Sequence, residues 1–148
     1  MGPRLISRVL IDNSAWSRLS ASSGLSPRRR EEVAEALEAG EIFTCLPFLL
    51  EAGYSARSGG DYAGMLSGLL SLPRVEIDAD VEQLALDAQR NLARIGHHRM
   101  PPVDVLLAAI AARHGLGVLH YDADYDVLAR RTDLEFTSVW LARRGSLR

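Results

Sequence analysis

Three consecutive apolar residues, Val9, Leu10 and Ile11, run directly into Asp12, Asn13 and Ser14, and residues 14–20 (SAWSRLS) then carry a helical pattern. A continuous apolar run closed by a polar stop marks a strand buried on both faces, the kind found in parallel sheets. Asp12 therefore stands at the carboxyl end of a central strand, the edge where open α/β sheets hold their ligands.

The rest of the chain alternates in the way such a sheet requires. The spacing predicts a helix over 27–39, capped by Ser26, opened by Pro27 and stopped by Gly40. A second strand is expected at 41–45 (EIFTC), then a helix starting near Pro47 that contains Glu51, and another at about 61–71. PRVEID (73–78) reads as a third strand, followed by a long helix from Asp80 to Ile95 capped by Asp78 or Asp80. After the loop GHHRMPP, the segment PPVDVLLAAIAARHG (101–115) is a nearly all-apolar helix with Asp104 in its first turn. GVLHYDADYDVLARR supplies a fourth strand and a short helix, and LEFTSVW (134–140) a fifth strand. Strands alternating with helices imply an α/β fold with a central parallel sheet of four to five strands flanked by helices. With no repeat or linker, residues 1–148 are expected to form a single domain.

Composition excludes several chemistries. All 17 basic residues are Arg and none is Lys. A P-loop nucleotide site needs its lysine, a Schiff-base enzyme needs its amine, and phospho-aspartyl receivers and haloacid-dehalogenase-like folds generally rely on a lysine as well. A net charge of −2 does not announce a nucleic-acid binder, so any attraction to a polyanion must be local. The lone cysteine, Cys45 in IFTCL, has no internal partner and reads as a buried, inert thiol. No apolar run is long enough to span a membrane and MGPRLISRVLIDN has no signal-peptide pattern, so a cytoplasmic location is expected.

Four acidic residues stand where the pattern wants something apolar or neutral: Asp12, Glu51 after PFLL, Asp104 among Val103, Val105 and Leu106, and Asp122 after GVLHY, with Asp124 and Asp126 behind it. Each alone has an ordinary structural explanation. Asp12 and Asp122 suit helix caps, Asp104 suits the helix dipole, and Glu51 suits an exposed helix face. Together they ask for more, because carboxylates are rarely buried without a partner and strand ends and helix starts share one edge of a parallel sheet. Only Arg or a cation could neutralise several such groups here. A cluster of oxygen ligands selects a hard divalent ion, Mg²⁺ or Mn²⁺, over zinc, and such ions suit phosphodiester chemistry.

LIDNSA, the Glu after PFLL, PPVDVLLAAIAARHG and LHYDADYDVLA resemble, in order and spacing, the four acidic motifs of PIN-domain ribonucleases, most closely the VapC-like toxins of bacterial toxin–antitoxin pairs. The resemblance spans about Val9 to Val139 and implies the PIN-like three-layer fold. It assigns Asp12, Glu51, Asp104 and Asp122 as catalytic, with Asp12, Asp104 and Asp122 as metal ligands. Asp124 is an outer ligand or a substitute for Asp122, and Ser14 bonds a carboxylate or a water at the ion. The implied activity is Mg²⁺-dependent cleavage of RNA, with Mn²⁺ substituting. The implied partners are an RNA substrate, a cognate antitoxin docked on the helices at 27–39 and 61–71, and a second copy in a homodimer. The alternatives are a catalytically silent PIN-like module that binds RNA or protein, and a metal-dependent nuclease acting on DNA.

The remaining candidates read as structural or surface groups. Arg28, Arg29 and Arg30 suit a solvated helix face, with an RNA or partner contact as the sharper reading, and the same holds for Arg130, Arg131, Arg143 and Arg144. His97 and His98 suit an exposed loop rather than a zinc site. His120 suits a hydrogen-bonded structural histidine, and Trp16, Phe43, Phe48 and Trp140 suit core or interface aromatics.

Overall fold

A computed structural model of the chain describes residues 6–21, 24–97 and 99–147. Its centre is the strand anticipated around Asp12. β1 (Val9–Ile11) is buried along its whole length and lies between two parallel neighbours, β2 (Ile42–Phe43) and β3 (Gly117–His120). β4 (Ser138–Trp140) pairs parallel with β3, so the sheet order is β2-β1-β3-β4. The chain leaves β1 toward one side of the sheet and returns on the other at β3. The carboxyl ends of these two strands therefore frame a topological switch point.

Helices cover the sheet as the alternation required. α1 (Asn13–Ala21) follows β1 without a loop, and α2 (Pro27–Glu38) opens on Ser26, whose Oγ accepts the Arg29 N–H at 3.2 Å. α3 (Leu46–Tyr54) carries Pro47 in its first turn, and α4 (Gly59–Leu70) starts two residues earlier than expected because Ser58 caps the Asp61 N–H at 3.0 Å. Asp78, rather than Asp80, caps α5 (Ala79–Arg94) by accepting the Val81 N–H at 2.9 Å. α6 (Pro102–His114) buries Val105 and Leu107 through Ala111, and ends at Gly115 with φ 67°, the left-handed stop a glycine tolerates. α7 (Asp124–Arg131) packs its Tyr125 and Leu128 inward. Among the described residues no helix is long and apolar enough to cross a membrane.

Three expected strands shrink, EIFTC (41–45) to the two residues of β2. PRVEID makes a single bridge, Thr44 to Arg74, through Thr44 N–H to Pro73 O at 2.8 Å and Val75 N–H to Thr44 O at 3.0 Å. β2 stops at Phe43 and α3 begins at Leu46, which leaves only Thr44 as a template for that segment. LEFTSVW pairs only from Ser138 onward. Its approach to β3 is close: a Cβ on Gly117 would stand 2.9 Å from the Thr137 carbonyl oxygen, so only glycine fits that position without a shift. The result is a four-stranded parallel sheet within the expected fold class.

Candidate active site

Asp12 continues the β1 ladder by donating its N–H to Leu119 O at 2.9 Å, so the sheet itself fixes its backbone at the switch point. Its side chain is 4% exposed and both oxygens are held. Oδ2 accepts the N–H and the hydroxyl of Ser14, whose Oγ in turn accepts the Tyr121 N–H at 2.8 Å and so ties the end of β1 to the end of β3. Oδ1 accepts the Tyr125 hydroxyl at 2.9 Å, and the same hydroxyl lies 3.4 Å from Asp104 Oδ1. One buried phenol on α7 thus links a carboxylate after β1 to a carboxylate in the first turn of α6.

Asp104, Asp122 and Asp124 form the tightest group, with one carboxylate oxygen from each within 4.8 Å of the others. Asp122 Oδ1 accepts the Asp124 N–H at 3.0 Å, which turns the chain into α7 and presents both acids on one side. Burial, then the charges of Asp12, Asp122 and Asp124, push the Asp104 carboxyl from 3.8 up to about 8. Burial and then the charge of Asp122 also raise Asp124. Glu51 stands on α3 outside this group. It too is raised, first by burial and then by the charge of Asp12.

The donor set can be tested against the divalent ion it was expected to hold. All the groups are carboxylate oxygens, three of them mutually close, and among the described residues the ion pairs lie elsewhere, on Glu32, Asp78, Asp80 and Asp87. A hard cation fits such a set.

The structure also separates groups that adjacency in sequence had placed together. Asp126 turns away from the pocket and accepts Ser138 Oγ at 2.7 Å and Trp140 Nε1 at 3.1 Å. Burial raises its carboxyl, but these two bonds outweigh burial and hold it below the usual range. His120 is fully buried, and burial pushes its imidazole down to about 4 against the pull of Asp126, Asp12 and Asp122. Its Nδ1 accepts the Asp122 N–H at 3.1 Å, so Nε2 carries the hydrogen toward Ser138 Oγ, 2.6 Å away. A chain His120, Ser138, Asp126 therefore braces the Asp122 turn from below. Tyr125 and Ser138 were missed in the sequence because neither differs in type from an ordinary core or strand residue. The one signal was position: Tyr125 lies three residues after Asp122, on the first turn of a helix that starts at the pocket.

Other candidates resolve as structural. Arg28 and Arg29 pair with Glu32, and Arg29 also donates to the Trp140 and Leu141 carbonyls at 2.7 and 3.0 Å. Cys45 is buried, and burial pushes its thiol up to about 12, leaving it unreactive. Trp16 and Phe48 meet edge-on at 6.4 Å. His98 lies outside the described residues.

Comparison with known proteins agrees with this geometry. A sequence profile of the PIN domain family matches residues 9–131, which include every acid of the pocket. Ribonuclease VapC51 of Mycobacterium tuberculosis is 36% identical over 84% of this chain and 88% of its own length, and ribonuclease VapC18 of the same organism 35% over 93% and 97%. The fold of VapBC from Salmonella typhimurium, solved bound to DNA, superposes with a TM-score of 0.72 at 15% identity, covering 92% of this chain and 99% of that one. The chain belongs to the PIN domain family, and the relatives it matches along most of their length are VapC ribonucleases.

Proposed function

We propose that the protein is a divalent-metal-dependent endoribonuclease and the toxin of a toxin–antitoxin pair. The observation that carries this reading is the group Asp104, Asp122 and Asp124, joined to Asp12 through Tyr125, at the carboxyl edge of β1 and β3, with no ion pair to any described residue. Kinship with proteins named ribonucleases supports the choice of RNA as substrate. Asp12, Asp104 and Asp122 would hold Mg²⁺, with Mn²⁺ as a substitute and Asp124 beside them. Bound there, the ion supplies a positive charge for a phosphodiester and acidifies a water.

The protein's own groups do the rest. Ser14 and Tyr125 lock both oxygens of Asp12, so no reorganisation is needed when substrate arrives. Glu51, a somewhat stronger base than a free carboxylate, accepts the proton of the attacking water. The water oxygen bonds to phosphorus, the bond to the 3′ oxygen breaks and that oxygen takes a proton from solvent, leaving a 5′-phosphate and a 3′-hydroxyl. Incubation of a mixed RNA pool with the protein and Mg²⁺ or Mn²⁺ should give cleavage that EDTA abolishes. Asp104→Asn should lower the rate by a factor of at least about 100 while circular dichroism stays native. Cleavage by that variant at the wild-type rate would sink the assignment, and cleavage of single-stranded DNA alone would move the substrate to DNA.

The partner reading has its own support. Leu46, Leu50 and Tyr54, spaced four apart on α3, are 51%, 65% and 92% exposed, and Tyr62 of α4 lies against Gly53 beside them. Such a stripe suits the apolar face of an amphipathic antitoxin helix. It lies beside α4, which overlaps the 61–71 segment expected to take the antitoxin.

A further inference from the structure

A pocket of carboxylates must also hold a polyanion if the nuclease reading above is right, and the inference drawn here rests on that reading. The ion serves the phosphate that reacts. The neighbouring phosphates of the same strand meet negative charge unless arginines stand beside the pocket. Several of the chain's arginines are occupied elsewhere. Arg28 and Arg29 belong to Glu32, Arg90 to Asp87, Arg113 to Asp78 and Asp80, and Arg130 donates to the Asp126 carbonyl.

One arginine is placed differently. A cleft of about 390 Å³ opens against the acidic group and is lined by Gly96, His97, Arg99, Met100, Pro101 and Asp124. Asp124 belongs to both, so the cleft borders the carboxylate group. The other wall is made by the described residues of the α5–α6 connection. Gly96 reverses the chain at φ 82°, His97 N–H donates to Leu92 O at 2.8 Å, and Met100 N–H donates to His97 O at 3.3 Å. Pro101 then leads into α6, whose first turn carries Asp104. Arg99 lies just before this helix start and lines the same cleft as Asp124. It is exposed and makes no ion pair with any described residue.

We infer that this cleft is a subsite for the nucleotide next to the scissile phosphate in single-stranded RNA. Arg99 takes its phosphate, and His97, Met100 and Pro101 wall its base and ribose. A guanidinium fork matches phosphate oxygens, and an imidazole face accepts a stacked base. The volume is at the small end for ligand clefts, enough for one unstacked nucleotide and too small for a duplex.

Steady-state cleavage of a labelled, random-sequence, single-stranded RNA oligonucleotide tests this. Arg99→Gln should raise KM about tenfold with kcat within about twofold of wild type. The dependence of log KM on log salt should lose about one unit of slope, and Arg99→Lys should restore that slope. In the Asp104→Asn background, anisotropy of the same RNA should show the same loss of binding without turnover. An unchanged KM and salt slope in Arg99→Gln, beside a wild type that cleaves, overturns the subsite and leaves the nuclease reading standing. A wild type that cleaves no RNA with Mg²⁺ or Mn²⁺ overturns the nuclease reading, and the subsite falls with it.

Discussion

Asp104 sits in the first turn of α6, where a helix dipole favours a negative charge, yet its carboxyl is pushed up to about 8. Burial and three neighbouring acids outweigh the dipole, because a charge close by in a half-buried pocket acts more strongly than the partial charges of a helix end. The sign of the linkage follows. The unfolded chain releases this proton near pH 4 while the folded protein keeps it to about 8, so rising pH across that window withdraws stability from the metal-free fold. Asp104→Asn keeps the shape, removes the charge and should escape this loss. Metal-free Asp104→Asn should therefore be more stable than wild type at pH 8 by about 1–2 kcal/mol, with the gap closing by pH 5. Thermal melts at the two pH values, in EDTA, measure it. A variant no more stable than wild type at pH 8 would mean that the four acids do not strain one another. The same substitution is expected to abolish cleavage, which is the trade expected where function needs groups that stability does not.

At the scale of elements, the turn from β3 into α7 is the part on which the pocket depends. It carries Asp122 and Asp124 above and rests on His120, Ser138 and Asp126 below. Ser138→Ala removes the middle of that chain and strands a buried imidazole N–H and a carboxylate oxygen. A loss of about 1–3 kcal/mol in urea denaturation is expected. A loss under about 0.5 kcal/mol would show that water replaces the serine freely. This chain marks where sequence reading ran out. The carboxylates were legible because Asp12 interrupts an apolar strand and Asp104 an apolar helix, each a local conflict between residue and pattern. The parallel sheet flanked by helices was legible from the same alternation. Ser138 and Tyr125 break no pattern, and their roles arise only when β4 and α7 are brought against β3. PRVEID failed for the opposite reason. Its local pattern was strand-like, but its neighbour at Thr44 offers one residue of template.

For the molecule as a whole, the sheet gathers Asp12, Asp104, Asp122 and Asp124 at one edge, a local excess of negative charge in a chain whose net charge is only −2. The fold tolerates this edge because protons hold part of the charge when no cation is present, Asp104 foremost. On the proposed reading, metal binding displaces that proton. Below the Asp104 pKa of about 8 the protein should release close to one proton per ion bound, and the affinity for Mg²⁺ should rise between pH 6 and 8. Since only the folded state brings these acids together, Mg²⁺ at about 100 times its Kd should add about 2.7 kcal/mol to the stability. Calorimetric titration of the wild type in two buffers of different ionisation enthalpy reads the proton count directly. Asp104→Asn should release fewer protons and show weaker, flatter binding across the same pH range. Binding by the wild type that neither releases protons nor strengthens with pH would mean that the ion sits away from Asp104, and the convergence of these acids would then lack the consequence on which their assignment depends.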